Sequence, residues 1–450
     1  MISFPSLKAS LKHHRISSAR AWSDRLVVWA TAMLAGLAVV GFSRLTDYAI
    51  QGFFKLRLWS PWAPFIAGIF GAAFVVWFTR RYFPYAAGSG IPQVIAAIDH
   101  DTDHTTAKRL VSIPISLAKA LLGSVALLCG FSTGREGPSV QIAAGIFFGM
   151  RRFLHNRSQL NDRDLLLAGG AAGIAAAFNA PLAGIVFAIE ELSKRFEQRS
   201  SGVIVTGILL AGIVAVAMEG NFTYFGSLHI DVMSTSLLTP GILCTLIGGL
   251  LGGGFSRLLI VSTIGTDDWP SRFRQRHPVL FAALCGTLIA VLGQASGGAA
   301  NGSGYQYTKA MLDNTEHLPL LYVGVKTLAT WLSYWSGVPG GIFAPSLAIG
   351  AGIGNDVSML WNGSVHPAII AIGMVAFLAA VTQAPITAFI IVMEMIDGHA
   401  MVLTLIAAAL AAARLSSLVS PPLYHSLALV LRDQLKKTPQ LASSERGGIR

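Results

Sequence analysis

The chain has 450 residues, of which 53% are hydrophobic and only 12% are charged, and its mean hydropathy is +0.60. Soluble domains carry roughly 25% charged residues, about twice this share. The composition therefore excludes a soluble enzyme, a disordered chain and a disulfide scaffold. An outer-membrane barrel is also excluded, because apolar and polar residues do not alternate with a dominant period of two.

Apolar segments of about bilayer length recur along the chain. Residues 27–42, 110–131 and 368–392 contain one charged side chain between them, Lys119. A helix needs roughly 20 predominantly apolar residues to cross the hydrocarbon core. Other apolar segments are interrupted by Gly or Pro, which is typical of broken and re-entrant helices. The sequence predicts a polytopic all-α membrane protein.

Positive charge is concentrated at the two ends of the chain. The formal net charge is +11, and residues 1–26 and 429–450 contribute +4 and +3 of it. The positive-inside rule then predicts that both of these basic tails are cytoplasmic. A nucleic-acid partner is not expected, because no basic motif interleaved with aromatic residues accompanies the tails.

An internal repeat divides the membrane region. Three pairs of similar motifs recur in the same order at offsets of 204 to 214 residues: GSG at 88–90 and 302–304, GREGPS at 134–139 and GIFAPS at 341–346, and APLAGIVFAIE at 180–190 and APITAFIIVME at 384–394. The pattern predicts two related halves, residues 27–220 and 237–428, joined by a linker at 221–236. If each half crosses the membrane an odd number of times, the halves are inverted and both termini lie on one side.

The strongest motifs place glycines just before a proline. Proline is favoured in the first turn of a helix, and the free N–H groups of a helix start carry about half a positive charge. GSGIP at 88–92, GREGP at 134–138 and GGIFAP at 340–345 are therefore predicted as three helix starts that converge on an anion. The residues alone thus favour an anion transporter. The motif residues expected to line its pathway are Gly88, Gly90, Pro92, Gly134, Arg135, Gly137, Pro138, Gly341 and Pro345.

These three motifs, together with the late Tyr424, resemble the CLC family of chloride channels and proton/chloride exchangers over residues 27–428. The resemblance implies a CLC-type inverted repeat of broken and tilted helices and a homodimer with one pore per subunit. It further implies a bacterial exchanger in the cytoplasmic (inner) membrane, with chloride and protons as its substrates and the lipid bilayer as its surroundings. The 26 residues after Tyr424 are too few for the cytosolic CBS domains of some members, so no nucleotide partner is expected.

Four residues match the family's central chloride site. The resemblance implies that the Ser89 hydroxyl, the backbone N–H groups of Ile342 and Phe343, and the Tyr424 phenol bind the anion. Each has a plainer interpretation: Ser89 as the filler of a tight turn, Ile342 and Phe343 as core residues, and Tyr424 as an interfacial aromatic. A serine at position 89 favours chloride over nitrate in this family.

Glu136 matches the family's gating glutamate, which competes with chloride when ionised and leaves the pathway when protonated. A carboxylate in an apolar segment is costly and usually functional. The alternative is a local ion pair with Arg135, although adjacent residues on a helix do not face each other.

Glu191 matches the family's inner proton-transfer glutamate and favours coupled exchange over an uncoupled voltage- or pH-gated chloride channel, the alternative function. The competing interpretation is an interfacial acid paired with the basic residues that follow it, Lys194, Arg195 and Arg199. Glu190 recurs as Glu394 in the second half, so both are interpreted as structural.

No enzymatic chemistry is expected. The histidines lie in polar segments or at segment ends, and HExxH does not occur. The cysteines, at 129, 244 and 285, have no metal-ligand spacing, and neither a metal nor a cofactor is predicted.

Overall fold

The computed structural model describes residues 4–99, 101–155, 158, 160–193, 201–220, 223–226, 237–315, 318–362 and 366–447. Over these ranges the chain is helix and loop, with no β-strand. The α-helices are α1 (Phe4–Trp59), α2 (Ala63–Tyr82), α3 (Ile91–Ile98), α4 (His104–Leu110), α5 (Ile113–Leu128), α6 (Glu136–Gly149), α7 (Asp162–Ala177), α8 (Pro181–Phe187), α9 (Ser201–Glu219), α10 (Leu238–Ile264), α11 (Trp269–Arg276), α12 (Pro278–Ala295), α13 (Tyr305–Leu312), α14 (Leu321–Ser336), α15 (Phe343–Asn362), α16 (Pro367–Thr382), α17 (Pro385–Ile396), α18 (Val402–Ser417) and α19 (Leu423–Gly447).

Seven helical segments of the described chain are long and apolar enough to cross a membrane: Trp22–Trp59, Ala63–Tyr82, His104–Leu128, Gly202–Glu219, Leu238–Ile264, Pro278–Ala295 and His399–Ser417. Their outer faces expose large apolar side chains such as Phe70 and Leu250, as expected next to lipid tails. Between them lie short helices, including the eight-residue α3 and the seven-residue α8. The prediction of a multi-pass bundle with broken helices is confirmed.

One helix is buried around its whole circumference. Every side chain of α16 from Ala368 to Thr382 is buried, because the helix is packed by α10, α15 and α18. A helix that is apolar on all sides belongs in the interior of a bundle. The apolar run 368–392 of the sequence therefore marks an internal helix, followed by the chain reversal before α17, rather than a lipid-facing span.

The repeat seen in the sequence is matched by equivalent contacts in the structure. The Lys119 ammonium on α5 donates to the Gly88 carbonyl over 2.7 Å, and the Lys326 ammonium on α14 donates to the Gly302 carbonyl over 2.8 Å. Both lysines are fully buried and hold the GSG loop of their own half. The same chemistry thus fixes both loops.

A second equivalent pair links the two halves. The Glu190 carboxylate accepts from the Thr387 N–H at 2.6 Å, and the Glu394 carboxylate accepts from the Ala183 N–H at 2.8 Å. Each acid therefore caps the first turn of the helix in the opposite half, α17 and α8 respectively. These caps agree with the interpretation of Glu190 and Glu394 as structural residues.

The basic tails are helical as far as they are described. α1 continues without a break from Phe4 into the first membrane segment, and α19 continues to Gly447. The boundaries drawn at residues 26 and 429 from charge thus fall inside helices. Most of the linker 221–236 lies outside the described residues.

Candidate functional site

The GSG loop of the first half brings Ser89 into the interior. Gly88 and Gly90 have φ angles of +66° and +107°, a region in which side chains with a Cβ are strained. α3 begins immediately afterwards, with Pro92 in its first turn. Ser89 itself is only 1% exposed. The glycines therefore allow the chain to reverse and start a helix at a buried serine.

The three predicted helix starts meet at Gly137. A Cβ on this residue would lie 2.3 Å from the Ser89 hydroxyl and 3.3 Å from the Cα of Gly341, so only glycine fits. Gly134 and Gly341 exchange a reciprocal pair of backbone hydrogen bonds, both 2.7 Å long. The convergence expected from the GSGIP, GREGP and GGIFAP motifs is present, with α3, α6 and α15 all beginning beside one another.

Glu136 lies at this meeting point and is fully buried. It is the first residue of α6, and its Oε2 accepts a hydrogen bond of 3.3 Å from the Ala344 N–H in the first turn of α15. Its Oε1 has no hydrogen-bond partner among the described residues. A carboxylate of the first half thus occupies the start of a helix of the second half, where negative charge is favoured.

Arg135 is directed away from Glu136. Its guanidinium forms an ion pair with Asp47 on α1 at 2.8 Å, donates to the Ser43 carbonyl and lies 5.5 Å over the ring of Tyr224. The local Arg135–Glu136 pair is therefore not formed. These side chains line a cavity of about 320 Å³ that also borders the second GSG loop, at 302–304.

Tyr424 and Phe343 form one wall of the site. Their rings are stacked with centroids 5.8 Å apart, and both side chains are buried. The Tyr424 and Ser89 hydroxyls approach each other, yet within the described chain neither has a partner in hydrogen-bonding geometry. Ile342 is also buried, just before the start of α15. The structure thus places all four residues of the expected chloride site in one region.

Glu191 lies in a π-helical turn, Ala188–Ser193, that continues α8. It is 8% exposed, and its carboxylate lies within electrostatic range of the Tyr424 phenol. Its suggested basic partners Lys194, Arg195 and Arg199 lie outside the described residues. Glu191 is therefore near the Tyr424 wall of the site, and its pairing with these basic residues stays a prediction.

Two contacts of the site were not foreseen from the sequence. The N–H group that meets Glu136 belongs to Ala344, one residue beyond the predicted Ile342 and Phe343. Asp47, the partner of Arg135, lies in the long apolar helix α1. An acid inside an apolar segment is usually functional, so the sequence could have identified Asp47 as a candidate residue of the site.

The bundle of broken helices, with helix starts converging on a buried carboxylate and two buried hydroxyls, defines a membrane transport protein and not an enzyme. Residues 71–417 match the family model described as voltage gated chloride channel. The chain belongs to this family, the CLC proteins.

Two bacterial transporters are similar over nearly the full chain. The H(+)/Cl(-) exchange transporter ClcA of Cronobacter sakazakii is 31% identical over 425 residues, covering 89% of this chain and 88% of that protein. The protein of the same name from Citrobacter koseri is 31% identical over 441 residues, covering 94% and 87%.

The fold is similar to solved structures of the family. The crystal structure of a slow cyanobacterial Cl-/H+ antiporter aligns with a TM-score of 0.78 and 25% identity, covering 92% of this chain and 99% of that one. A CLC-type fluoride/proton antiporter aligns with a TM-score of 0.70 and 22% identity, covering 90% and 96%, and supports the fold alone.

Proposed function

We propose that this protein is a secondary active transporter that exchanges chloride for protons across the bacterial cytoplasmic membrane. Glu136 acts as the gate and outer proton carrier, and Glu191 as the inner proton-transfer residue. The similarity to two H(+)/Cl(-) exchange transporters supports this assignment. The buried carboxylate of Glu136 at the start of α15 is the structural observation on which it depends most.

The gate follows from competition for one position. An ionised Glu136 side chain and a chloride ion are both anions that the free N–H groups of α15 attract. They cannot occupy the same place, so chloride enters when Glu136 is protonated and moves aside. Because each exchange of occupants changes the protonation of Glu136, anion movement and proton movement are coupled.

The anion is bound by neutral donors. The unpartnered hydroxyls of Ser89 and Tyr424 face one another, and each supplies one donor to a chloride ion between them. The backbone N–H groups at Ile342 and Phe343 add the dipole of α15. Donors without formal charge hold the ion weakly enough for it to leave, which conduction requires.

Glu191 supplies the inner end of a separate proton route. Its carboxylate lies on the Tyr424 side of the site, in the π-helical turn after α8. An acid inside a membrane protein is costly and marks proton relays. The proton passes between Glu191 and Glu136 while chloride uses the path past Ser89.

The family resemblance also implies the assembly and orientation. The subunit forms a homodimer with one pore per subunit, and both basic tails lie in the cytoplasm, as the positive-inside rule predicts. The bound substrate is chloride alone, without a resident cofactor or metal.

The test is proton uptake into proteoliposomes driven only by an outward chloride gradient, with Glu191→Gln compared with wild type. Glutamine keeps the size of the side chain but cannot carry a proton, so proton uptake should be lost while chloride binding is retained. Asp267→Asn removes an exposed acid in the loop between α10 and α11 and is the control for loss of charge.

Each outcome bears on a different part of the proposal. Wild-type protein that moves chloride without protons would favour the uncoupled channel. Coupled wild type together with fully coupled Glu191→Gln would leave the exchanger in place and overturn the role of Glu191.

A further inference from the structure

Helices α2 and α12 form one lipid-facing surface. Both are membrane-crossing segments, and they pack closely, because a Cβ on Gly286 would lie 2.1 Å from the Gly68 carbonyl oxygen. Each helix exposes large apolar side chains along its outer face: Ile66, Phe70, Phe74 and Trp77 on α2, and Leu280, Leu284, Leu288 and Val291 on α12. Residues three or four apart lie on the same face of a helix, so these side chains form one apolar row on each helix. The two rows fit the acyl chains of a lipid.

Arginines lie at one end of this surface. α2 finishes with Arg80 and Arg81 in its last turn, and both are exposed. The short helix α11 directly precedes α12, and its Phe273 packs against the same buried apolar cluster as Phe78 of α2. Burial first, and then the like charge of Arg80, lowers the pKa of Arg274 on α11. The end of α2 and the helix α11 therefore bring their positive charges together.

Aromatic residues place these arginines at the depth of lipid headgroups. Arg272 and Arg276 are exposed and lie four residues apart on α11, and Trp269, three residues before Arg272, is 68% exposed. The three side chains share one face of the helix. Trp77 and Tyr82, near the end of α2, are also exposed. Tryptophan and tyrosine are enriched where lipid tails meet headgroups, so the neighbouring arginines stand at headgroup level.

These positive charges have no acidic partner. In the part of the chain that the structure describes, no ion pair involves any arginine of α2 or α11. Asp268 immediately precedes α11, at the opposite end from Arg276, and its carboxylate accepts from the Thr266 hydroxyl at 2.7 Å. The planar guanidinium group matches the oxygen atoms of a phosphate, which makes a phosphate the best-fitting partner for unpaired arginines.

We propose that the arginine-capped face of α2, α11 and α12 is a binding site for an anionic phospholipid. Arg81, Arg272 and Arg276 hold its phosphodiester headgroup, and its acyl chains lie along the apolar rows of α2 and α12. Basic pockets between membrane helices suit such headgroups. A free phosphate would leave the apolar rows unused. The inference is independent of the proposed chloride/proton exchange and of the residues assigned to it.

The test measures lipid binding to the full-length protein in detergent by native mass spectrometry. The protein is titrated with phosphatidylglycerol and, separately, with phosphatidylcholine that has the same acyl chains. The variants are Arg272→Gln/Arg276→Gln on α11 and Arg81→Gln on α2. Lys108→Gln/Arg109→Gln removes two exposed basic residues from α4, at the start of another membrane-crossing segment, and is the matched control.

Wild type should bind phosphatidylglycerol more tightly than phosphatidylcholine. Arg272→Gln/Arg276→Gln should weaken the binding of phosphatidylglycerol about thirtyfold, because each arginine near an anionic lipid surface contributes roughly a factor of five. Arg81→Gln should weaken it roughly fivefold for the same reason. Arg272→Lys/Arg276→Lys should keep most of the affinity, and the control should bind as wild type does. Excess inorganic phosphate should not displace the lipid.

Different results would overturn the site. Equal affinity of wild type for the two lipids would mean that the apolar rows bind lipid without recognising its headgroup. An equal loss in Lys108→Gln/Arg109→Gln would reduce the effect to overall surface charge, and displacement by inorganic phosphate would show recognition of free phosphate. Without added lipid, Arg272→Gln/Arg276→Gln should unfold at the wild-type temperature, and a lower temperature would assign these arginines a structural role instead.

Discussion

Replacing Glu136 with Gln removes the charge of the proposed gate while keeping the size of the side chain. In the structure the carboxylate accepts one hydrogen bond, from the Ala344 N–H. A hydrogen bond to a charged group contributes roughly 1.5–3 kcal/mol and a neutral one about 0.5–1.5 kcal/mol. The side chain should therefore compete less well with chloride by about 1–1.5 kcal/mol, which is about a tenfold change in an equilibrium constant.

The prediction has two parts that are measured on the same sample. Calorimetry should find chloride binding about tenfold tighter in Glu136→Gln, by the hydrogen-bond difference worked out above. Proteoliposomes should then show passive chloride efflux without proton uptake, because an amide cannot carry a proton. Glu219→Gln, which removes a partly exposed acid paired with Arg44, serves as the control for loss of charge. Chloride-driven proton uptake that persists in Glu136→Gln would refute the reasoning.

Three further predictions test the surroundings of the site. Ser89→Pro should increase the rate of nitrate transport relative to that of chloride, which anion competition in flux assays would measure. An unchanged ratio of the two rates would mean that Ser89 only shapes the turn. Glu190→Ala and Glu394→Ala should each lower the free energy of unfolding by about 0.5–2 kcal/mol, the usual loss for a helix cap. Chemical denaturation should show similar losses for the two variants, and clearly unequal losses would contradict the equivalence of the two caps. Lys119→Met should lower the unfolding temperature, because it leaves buried carbonyls of the GSG loop unpaired at a cost of roughly 1–3 kcal/mol each. An unfolding temperature equal to that of wild type would contradict the role of Lys119 in holding this loop.

The helix starts were the most predictable part of the molecule. Gly88 and Gly90 preceding Pro92 indicate a helix start, and in the structure α3 begins there after two glycines with positive φ. This is local chemistry, decided by the Cβ and by the missing N–H of proline. Their convergence was also predictable, because the motifs recur in two halves.

Long-range partners could not be predicted in the same way. Lys119 stands out as the charged residue of an apolar segment, but its acceptors, Ala86 and Gly88, are more than thirty positions away. Arg135 likewise pairs with Asp47, a residue of α1 that lies 88 positions away in the sequence. Such contacts are set by how helices pack in three dimensions, which periodicity along one chain does not encode.

Sequence and structure together describe a symmetric scaffold with an asymmetric site. Lys119 and Lys326 hold equivalent loops, and Glu190 and Glu394 cap equivalent helices. Glu136, however, has no acid at the matching position of the second half, where GIFAPS replaces GREGPS. The repeat therefore supports the fold, and the departures from it are where function is proposed.

The reversal potential of the reconstituted protein tests the central claim most directly. With equal chloride on both sides and a proton gradient across the bilayer, a coupled exchanger must reverse at a potential displaced from zero in the direction set by the protons. The proposed exchange predicts this displacement, and predicts that it vanishes in Glu136→Gln. A wild-type reversal potential that stays at zero, and that follows the chloride gradient alone when one is imposed, would contradict proton-coupled transport.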